Sequence, residues 1–354
     1  GLLYTAGFDP NTGKWTNTFR LEFDRSFLLD VKDAQGFVHA MGQLFEAMSA
    51  FRDMVLATMD GILENDLVIV AAFDVSDLNI MIGDLKLDWF EMKMSWDSTA
   101  RTWTTTIEVK FDMTKELEGL GGTNGIDSEQ MKNVIGKVLV SLNLLAEQFL
   151  KQAGEPGKFG EILTQMLKEN FSVVFNLDLS AYGLQIVVGD QVIGVAGLSF
   201  AMSLRNGKFV PSIKMNLNLD AETRRLMSEE DPAFRTAVFS RVFETLKGFA
   251  EVVSATVAVD GAEVSVAFES VNVSLGNIPG RDGADKPFQT DTIGLKYVFR
   301  EADRTWVPAM ETSADGSLVG VKGVAQAAAL VSKFQAESLE ALKASDPDLF
   351  LNGF

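Results

Sequence analysis

Few residues in this chain have the type and spacing to do chemistry. His39 is the single histidine and there is no cysteine. A histidine acting as general base or metal ligand needs a partner acid, nucleophile or second ligand, and none stands at a suitable spacing. His39 therefore reads as a helix-flank or packed residue. Carboxylates gather at Glu229-Glu230-Asp231, just before a helical segment, where negative charge favours the helix dipole. Asp282 and Asp285 sit in a Gly-rich stretch without the alternation or closing Glu of a calcium loop, which reads as solvated. Gly119, Gly121, Gly122 and Gly125 suggest a phosphate cradle only superficially. The Gly-Lys-Ser/Thr of a P-loop is missing, and the flanking strands are expected to be antiparallel rather than parts of a βαβ unit. No Gly-X-Ser-X-Gly elbow occurs. The expectation is a non-enzyme with no catalytic residues, no metal site and no cofactor.

What remains is apolar chemistry. The chain has 26 Phe and 14 Met against 3 Tyr. The first helical segment concentrates them: Phe37, Met41, Phe45, Met48, Phe51, Met54 and Met59. Such soft side chains either fill a core or line a greasy groove between helix and sheet, and these seven are the candidate ligand-binding residues. Phe45 and Met54 fall off the main stripe and widen the apolar face.

These residues need elements to position them. Apolar residues at steps of three and four predict amphipathic helices over 34–62, 128–152 and 231–249, a shorter one ending near Glu169, and a last one over 322–345. Asp127 or Ser128, and Asp231 before Pro232, are the expected N-caps. Between the helices, one hairpin signature recurs. A polar turn is followed by an aromatic (Trp15, Trp103, Phe209, Trp306) and, four residues later, by an apolar residue (Phe19, Ile107, Ile213, Met310). The strands alternate apolar and polar, the pattern of a sheet covered on one face. Asp74-Val75-Ser76 and Gly83-Asp84 match Asp178-Leu179-Ser180 and Gly189-Asp190 upstream of two of these turns.

The expected fold is therefore α+β. Each repeated unit is one long amphipathic helix followed by a roughly four-stranded antiparallel meander, and the sheets join into a larger curved sheet. The expected frame is a partial repeat over 1–32, units over 33–126, 127–228 and 229–320, and a C-terminal helix and tail over 321–354. In this frame the opening hairpin either packs near the last helix or extends the first sheet directly.

Composition narrows the function. Lys plus Arg number 31 and Asp plus Glu 49, for a net charge of −18. No cationic cluster is present to bind phosphates, so no nucleic-acid partner is expected. No transmembrane segment is expected either, because the best stretch, 134–150, is broken by Lys137, Asn143 and Glu147. Gly1 in place of an initiator Met, with no cysteine, leads to the expectation of an exported protein with its leader removed, periplasmic or surface-tethered as a lipoprotein would be. The first expected function is to hold a lipid or other hydrophobic small molecule between helices and sheet. Long helices on curved sheets resemble the tubular lipid-binding (BPI-like) proteins in architecture, through no sequence motif. The alternative is a structural or protein-interaction, adhesin-like repeat protein with a solid core.

Overall fold

The computed structural model describes residues 1–10, 13–118, 120, 128–228, 232–257, 259–279, 285–314 and 324–347. The chain opens with the hairpin β1 (Leu2–Asp9) and β2 (Lys14–Leu21), and α1 (Ala34–Thr58) follows. Next come β3 (Asp66–Asp74), β4 (Ile80–Ile82), β5 (Leu85–Asp97) and β6 (Thr102–Phe111). After α2 (Ser128–Ala153) and α3 (Lys158–Leu167) come β7 (Ser172–Asp178), β8 (Gln185–Val188), β9 (Gln191–Arg205) and β10 (Lys208–Asn218). The final set is α4 (Ala221–Ser228), α5 (Pro232–Thr256), β11 (Glu263–Phe268), β12 (Val273–Pro279), β13 (Asp285–Arg300), β14 (Thr305–Ala314) and α6 (Val324–Ser345).

The fourteen strands form one mixed sheet in the order β1-β2-β3-β5-β6-β7-β9-β10-β11-β13-β12, with β4 on β5, β8 on β9 and β14 on β13. Hairpins such as β5–β6 and β13–β14 are antiparallel. The strands flanking each helical crossover are instead parallel: β2 with β3, β6 with β7, and β10 with β11. This corrects the antiparallel expectation for the strands around the Gly119–Gly125 stretch. A helix between two strands carries the chain back to the starting edge, so the second strand enters in the same direction as the first. Apart from Leu120, the Gly119–Gly125 stretch lies outside the described residues, as do Asp127 and Asp231, and the Ser128 side chain with them. The opening hairpin extends the first sheet directly, through Thr16–Arg20 against Asp66–Val70.

The turns explain the hairpins. The residue just before each aromatic strand is left-handed: Gly13 (φ 68°), Arg101 (55°), Gly207 (77°) and Arg304 (54°). Glycine takes that conformation freely, whereas arginine does so only because the strands on both sides hold it. Asp74 and Asp178 each close the end of a long strand by accepting the N–H and the hydroxyl of the serine two residues on. Those hydrogen bonds hold both carboxyls below the usual carboxylate range, with the serine hydroxyl the larger cause.

By compactness the chain divides into two units, one comprising Gly1–Leu117, Gly136–Asn176 and Phe200–Pro211, the other Glu118–Ile135, Leu177–Ser199 and Ser212–Phe354. In the first, Phe37 of α1 meets the ring of Phe90 edge-on at 5.2 Å, and Phe90 stacks on Phe73 at 4.9 Å. On β5, Phe90, Met92 and Met94 have no exposure, whereas Trp89, Glu91 and Lys93 between them stay partly or fully accessible. In the second unit, Phe239 and Phe243 of α5 pack against Phe268 and Tyr297. Burial pushes the Tyr297 phenol above its ordinary pKa. Each fully buried phenylalanine contributes about 2–3 kcal/mol of transfer free energy, so these helix–sheet layers are the main source of stability. By length and composition α2 could cross a membrane. Here, however, Val138, Leu139, Leu142, Leu145 and Phe149 are fully buried, and the Ser141 hydroxyl donates to the Ile82 carbonyl at 2.8 Å.

Candidate interaction edge

The seven apolar residues of α1 separate into two groups. Phe37, Met41, Phe45 and Met48 are at most 1% exposed. Phe51 is half-buried, its ring 5.5 Å from that of Phe19 on β2. Met54 and Met59 are exposed, at 54% and 39%. His39 lies on the outer side of α1 with its ring 4.3 Å from Phe159 and its Nε2 3.5 Å from the Gln43 amide. Asp282 and the side chain of Asp285 lie outside the described residues, as do Glu229 and Glu230.

Two charged clusters escaped the sequence reading. Arg52, 7% exposed, sends Nη1 to Glu169 Oε1 at 2.6 Å, and its guanidinium lies 5.0 Å from the centre of the Trp103 ring. Glu169 Oε2 accepts from the Thr105 hydroxyl, and the Thr105 N–H donates to the Glu169 carbonyl. Both charges are satisfied by one another and by β6, so this cluster ties α1 to the sheet rather than offering a reactive group. Its signal in the sequence was an arginine at a stripe position, four residues after Met48. On the opposite sheet face, Glu91 and Glu108 stand directly across from one another on β5 and β6. Burial, and then the neighbouring Glu108, push the Glu91 carboxyl above its usual range against the pull of Arg20 at 3.9 Å. Glu108 accepts from the Asn176 amide at 3.2 Å. In the second unit, a cavity of about 140 Å³ is lined by Lys214, Asn216, Arg224 and Glu269. Three of these polar groups are engaged with neighbours: Lys214 lies 3.8 Å from Glu269, and Asn216 donates to the Ser199 hydroxyl.

The surface that stands apart is the opening hairpin. Every residue of β1 is exposed. Leu2, Leu3, Tyr4, Phe8 and, on β2, Trp15 are between 47% and 57% accessible, and they make up five of the exposed large apolar residues among the described ones. Cross-strand register sets Tyr4 opposite Phe19 and Phe8 opposite Trp15, with ring centres 4.9 and 5.2 Å apart. Phe19 is 6% exposed and faces α1, so Leu2, Tyr4 and Phe8 continue the core layer past the last helix that covers it. β1 also ends the strand order, with no described strand on its outer edge.

The hairpin is firmly held. The Lys14 ammonium donates to the Ser98 and Thr99 hydroxyls at 2.9 and 2.6 Å, and the Trp15 N–H donates to Asn65 Oδ1 at 3.2 Å. Arg25, just beyond β2, makes a two-pronged pair with Asp77. A rigid strand with an open backbone edge and an apolar face is equipped to add another strand.

No family model matches this chain, and no curated protein is significantly similar to it.

Proposed function

We propose that this chain is a non-enzymatic structural and protein-interaction module, a repeat array with a solid core that docks partners through the β1 edge. The observation that carries the reading is the row Leu2, Tyr4 and Phe8, exposed on an end strand and continuous with the core face. Water-exposed apolar rows of this kind on a rigid scaffold are characteristic of interaction surfaces. Three correspondences support a repeated unit of crossover helix, long strand, short strand and long hairpin: the parallel pairing at each crossover, the left-handed residue before each aromatic strand, and the matched Asp-x-Ser strand ends. An exported, periplasmic or surface-tethered location goes with such a role. The competing lipid-holding role requires the layer around Phe37, Met41, Phe45 and Met48 to open. Their near-zero exposure favours the solid core.

The test compares proteins captured from the native source by the chain and by Ala6→Pro, alongside native mass spectrometry of the purified chain. Proline is tolerated on an edge strand but removes a donor. The expected result is a captured set that Ala6→Pro loses, with no lipid mass retained. Identical capture by both proteins, or stoichiometric lipid, overturns the reading.

A further inference from the structure

We infer that this chain binds a small carboxylate in the cavity where β10 and β11 part, with the Arg224 guanidinium as the group that holds it. This site is separate from the β1 edge and does not depend on it. β10 and β11 pair in parallel from Ser212 with Glu263 to Met215 with Val266. β10 continues to Asn218, and β11 to Phe268, which is still paired to β13. Beyond Met215 and Val266 the two strands therefore separate, and the cavity of about 140 Å³ lies in the opening. α4 brings Arg224 to it. The Arg224 side chain is exposed, and its guanidinium makes no hydrogen bond or ion pair among the described residues. Asp220 feels its charge, but Asp220 Oδ1 accepts the Thr223 N–H at 2.7 Å instead.

The β2–β3 joint, at the first crossover, shows what stands beside such an arginine. There the parallel pairing ends at Arg20 with Val70. Arg25, just past β2, sends Nη1 and Nη2 to the two carboxylate oxygens of Asp77, each at 2.9 Å, and Nη1 also reaches the Asp74 carbonyl. The chain's own carboxylate fills that place. At the β10–β11 joint an arginine again follows the first strand, and no described carboxylate clamps it. Register makes Glu269 the counterpart of Asp74. Glu269 lies five residues after Val264, the partner of Ile213, and Asp74 lies five after Ile69, the partner of Phe19. Asp74 is held by the N–H and hydroxyl of Ser76, whereas Val271, two residues past Glu269, has no hydroxyl to offer. The Glu269 side chain is 71% exposed and lies 3.8 Å from the Lys214 ammonium. That is beyond hydrogen-bond distance, so Lys214 keeps a donor for a ligand. Lys214 and Arg224 thus give the cavity two cations against one carboxylate. A bound carboxylate takes the role that Asp77 has at the first joint, two-pronged on the guanidinium with the ammonium beside it. The volume is well below the roughly 300–1,000 Å³ of cofactor pockets, which limits the ligand to a small acid. The net charge of −18 repels anions at long range, so the expected dissociation constant is only about 1 mM.

The experiment titrates the isotope-labelled chain with sodium propionate and follows its amide NMR signals. Sodium chloride at the same ionic strength and the neutral propionamide serve as comparisons. Propionate is expected to shift the amides of residues 214–219, 224 and 267–269 saturably, with the midpoint at about 1 mM. Chloride and propionamide are expected to leave them in place, because neither offers two anionic oxygens to the guanidinium fork. Arg224→Lys keeps the charge and loses the fork, and is expected to weaken binding at least about tenfold. Arg224→Met is expected to abolish it. Arg225, paired with Glu222, does not line the cavity, and Arg225→Met is expected to bind as the parent does. Arg224 is exposed, so its variants are expected to keep the parent's signals elsewhere in the spectrum, which separates lost binding from lost folding. Shifts that do not saturate, equal shifts with chloride or propionamide, or unchanged affinity in Arg224→Met overturns the proposal.

Discussion

Replacing Arg52 is the sharpest probe of how α1 is locked to the sheet. Arg52→Met removes the 2.6 Å pair to Glu169 and the 5.0 Å contact with Trp103, and leaves the Glu169 carboxylate, 15% exposed, without its counter-charge. Breaking a buried pair on one side costs about 3–5 kcal/mol, and the lost cation–π contact adds about 0.5–1. The expected loss is about 4 kcal/mol, which at about 3 kcal/mol/M moves a urea midpoint down by about 1 M. Arg52→Met combined with Glu169→Leu removes both charges. The Thr105 hydroxyl then loses its acceptor, at about 1 kcal/mol, while its backbone N–H keeps the Glu169 carbonyl. The double variant is therefore expected to regain most of the loss, ending about 1–2 kcal/mol below the parent. The assay is urea unfolding followed by tryptophan fluorescence. If the double variant is as unstable as the two single losses added together, the side chains are not coupled and the account of this cluster is wrong.

Three further predictions follow from pKa directions and from close packing. Asp66, Asp74, Asp112 and Asp178 are held low by hydrogen bonds from serine or threonine, so the stability they lend is present above the unfolded carboxylate pKa and lost as pH falls through their folded values. Glu91 has the opposite sign. Its raised pKa means the charged form opposes folding, so Glu91→Gln is expected to stabilise the chain at pH 7 and to give no gain below pH of about 4, read by unfolding at both pH values. A methyl group on Gly197 would sit 2.3 Å from the Leu177 carbonyl oxygen, where the backbone cannot yield without separating the strands. Gly197→Ala is expected to cost about 2–3 kcal/mol, measured by thermal unfolding, against about zero for alanine at exposed Gly7.

The helices were legible because their apolar residues recur at steps of three and four over about four to seven turns, and α1, α2 and α5 lie where that spacing puts them. The hairpins were legible from turn chemistry and alternation. The parallel pairing of Thr16–Arg20 with Asp66–Val70 was not, because no local signal says which distant strand will lie alongside. α4 was missed because Ala221–Ser228 is short and polar, with Thr223 and Met227 its buried residues. Among the site residues, the burial of Phe37, Met41 and Met48 follows from their stripe. The exposure of Leu2, Tyr4 and Phe8 does not, because the run Leu-Leu-Tyr-Thr-Ala-Gly-Phe has the composition of an inner strand. Only the order of strands places it at an end. Glu169 lies after the end of α3, and its pairing with Arg52 joins residues 117 positions apart.

The parallel crossovers also set the order in which the chain can fold. A hairpin such as β5–β6 closes over a few residues and zips within about microseconds. Each parallel joint must bring together partners far apart in the chain, Arg20 with Val70 or Ile107 with Val173, and it can do so only after the intervening helices have formed and turned back. The joints are therefore the slow steps, and a nascent chain passes through a period in which finished hairpins wait with bare backbone edges. During that interval β2, β6 and β10 are open to mispairing, and chaperone dependence and misassembly should concentrate there.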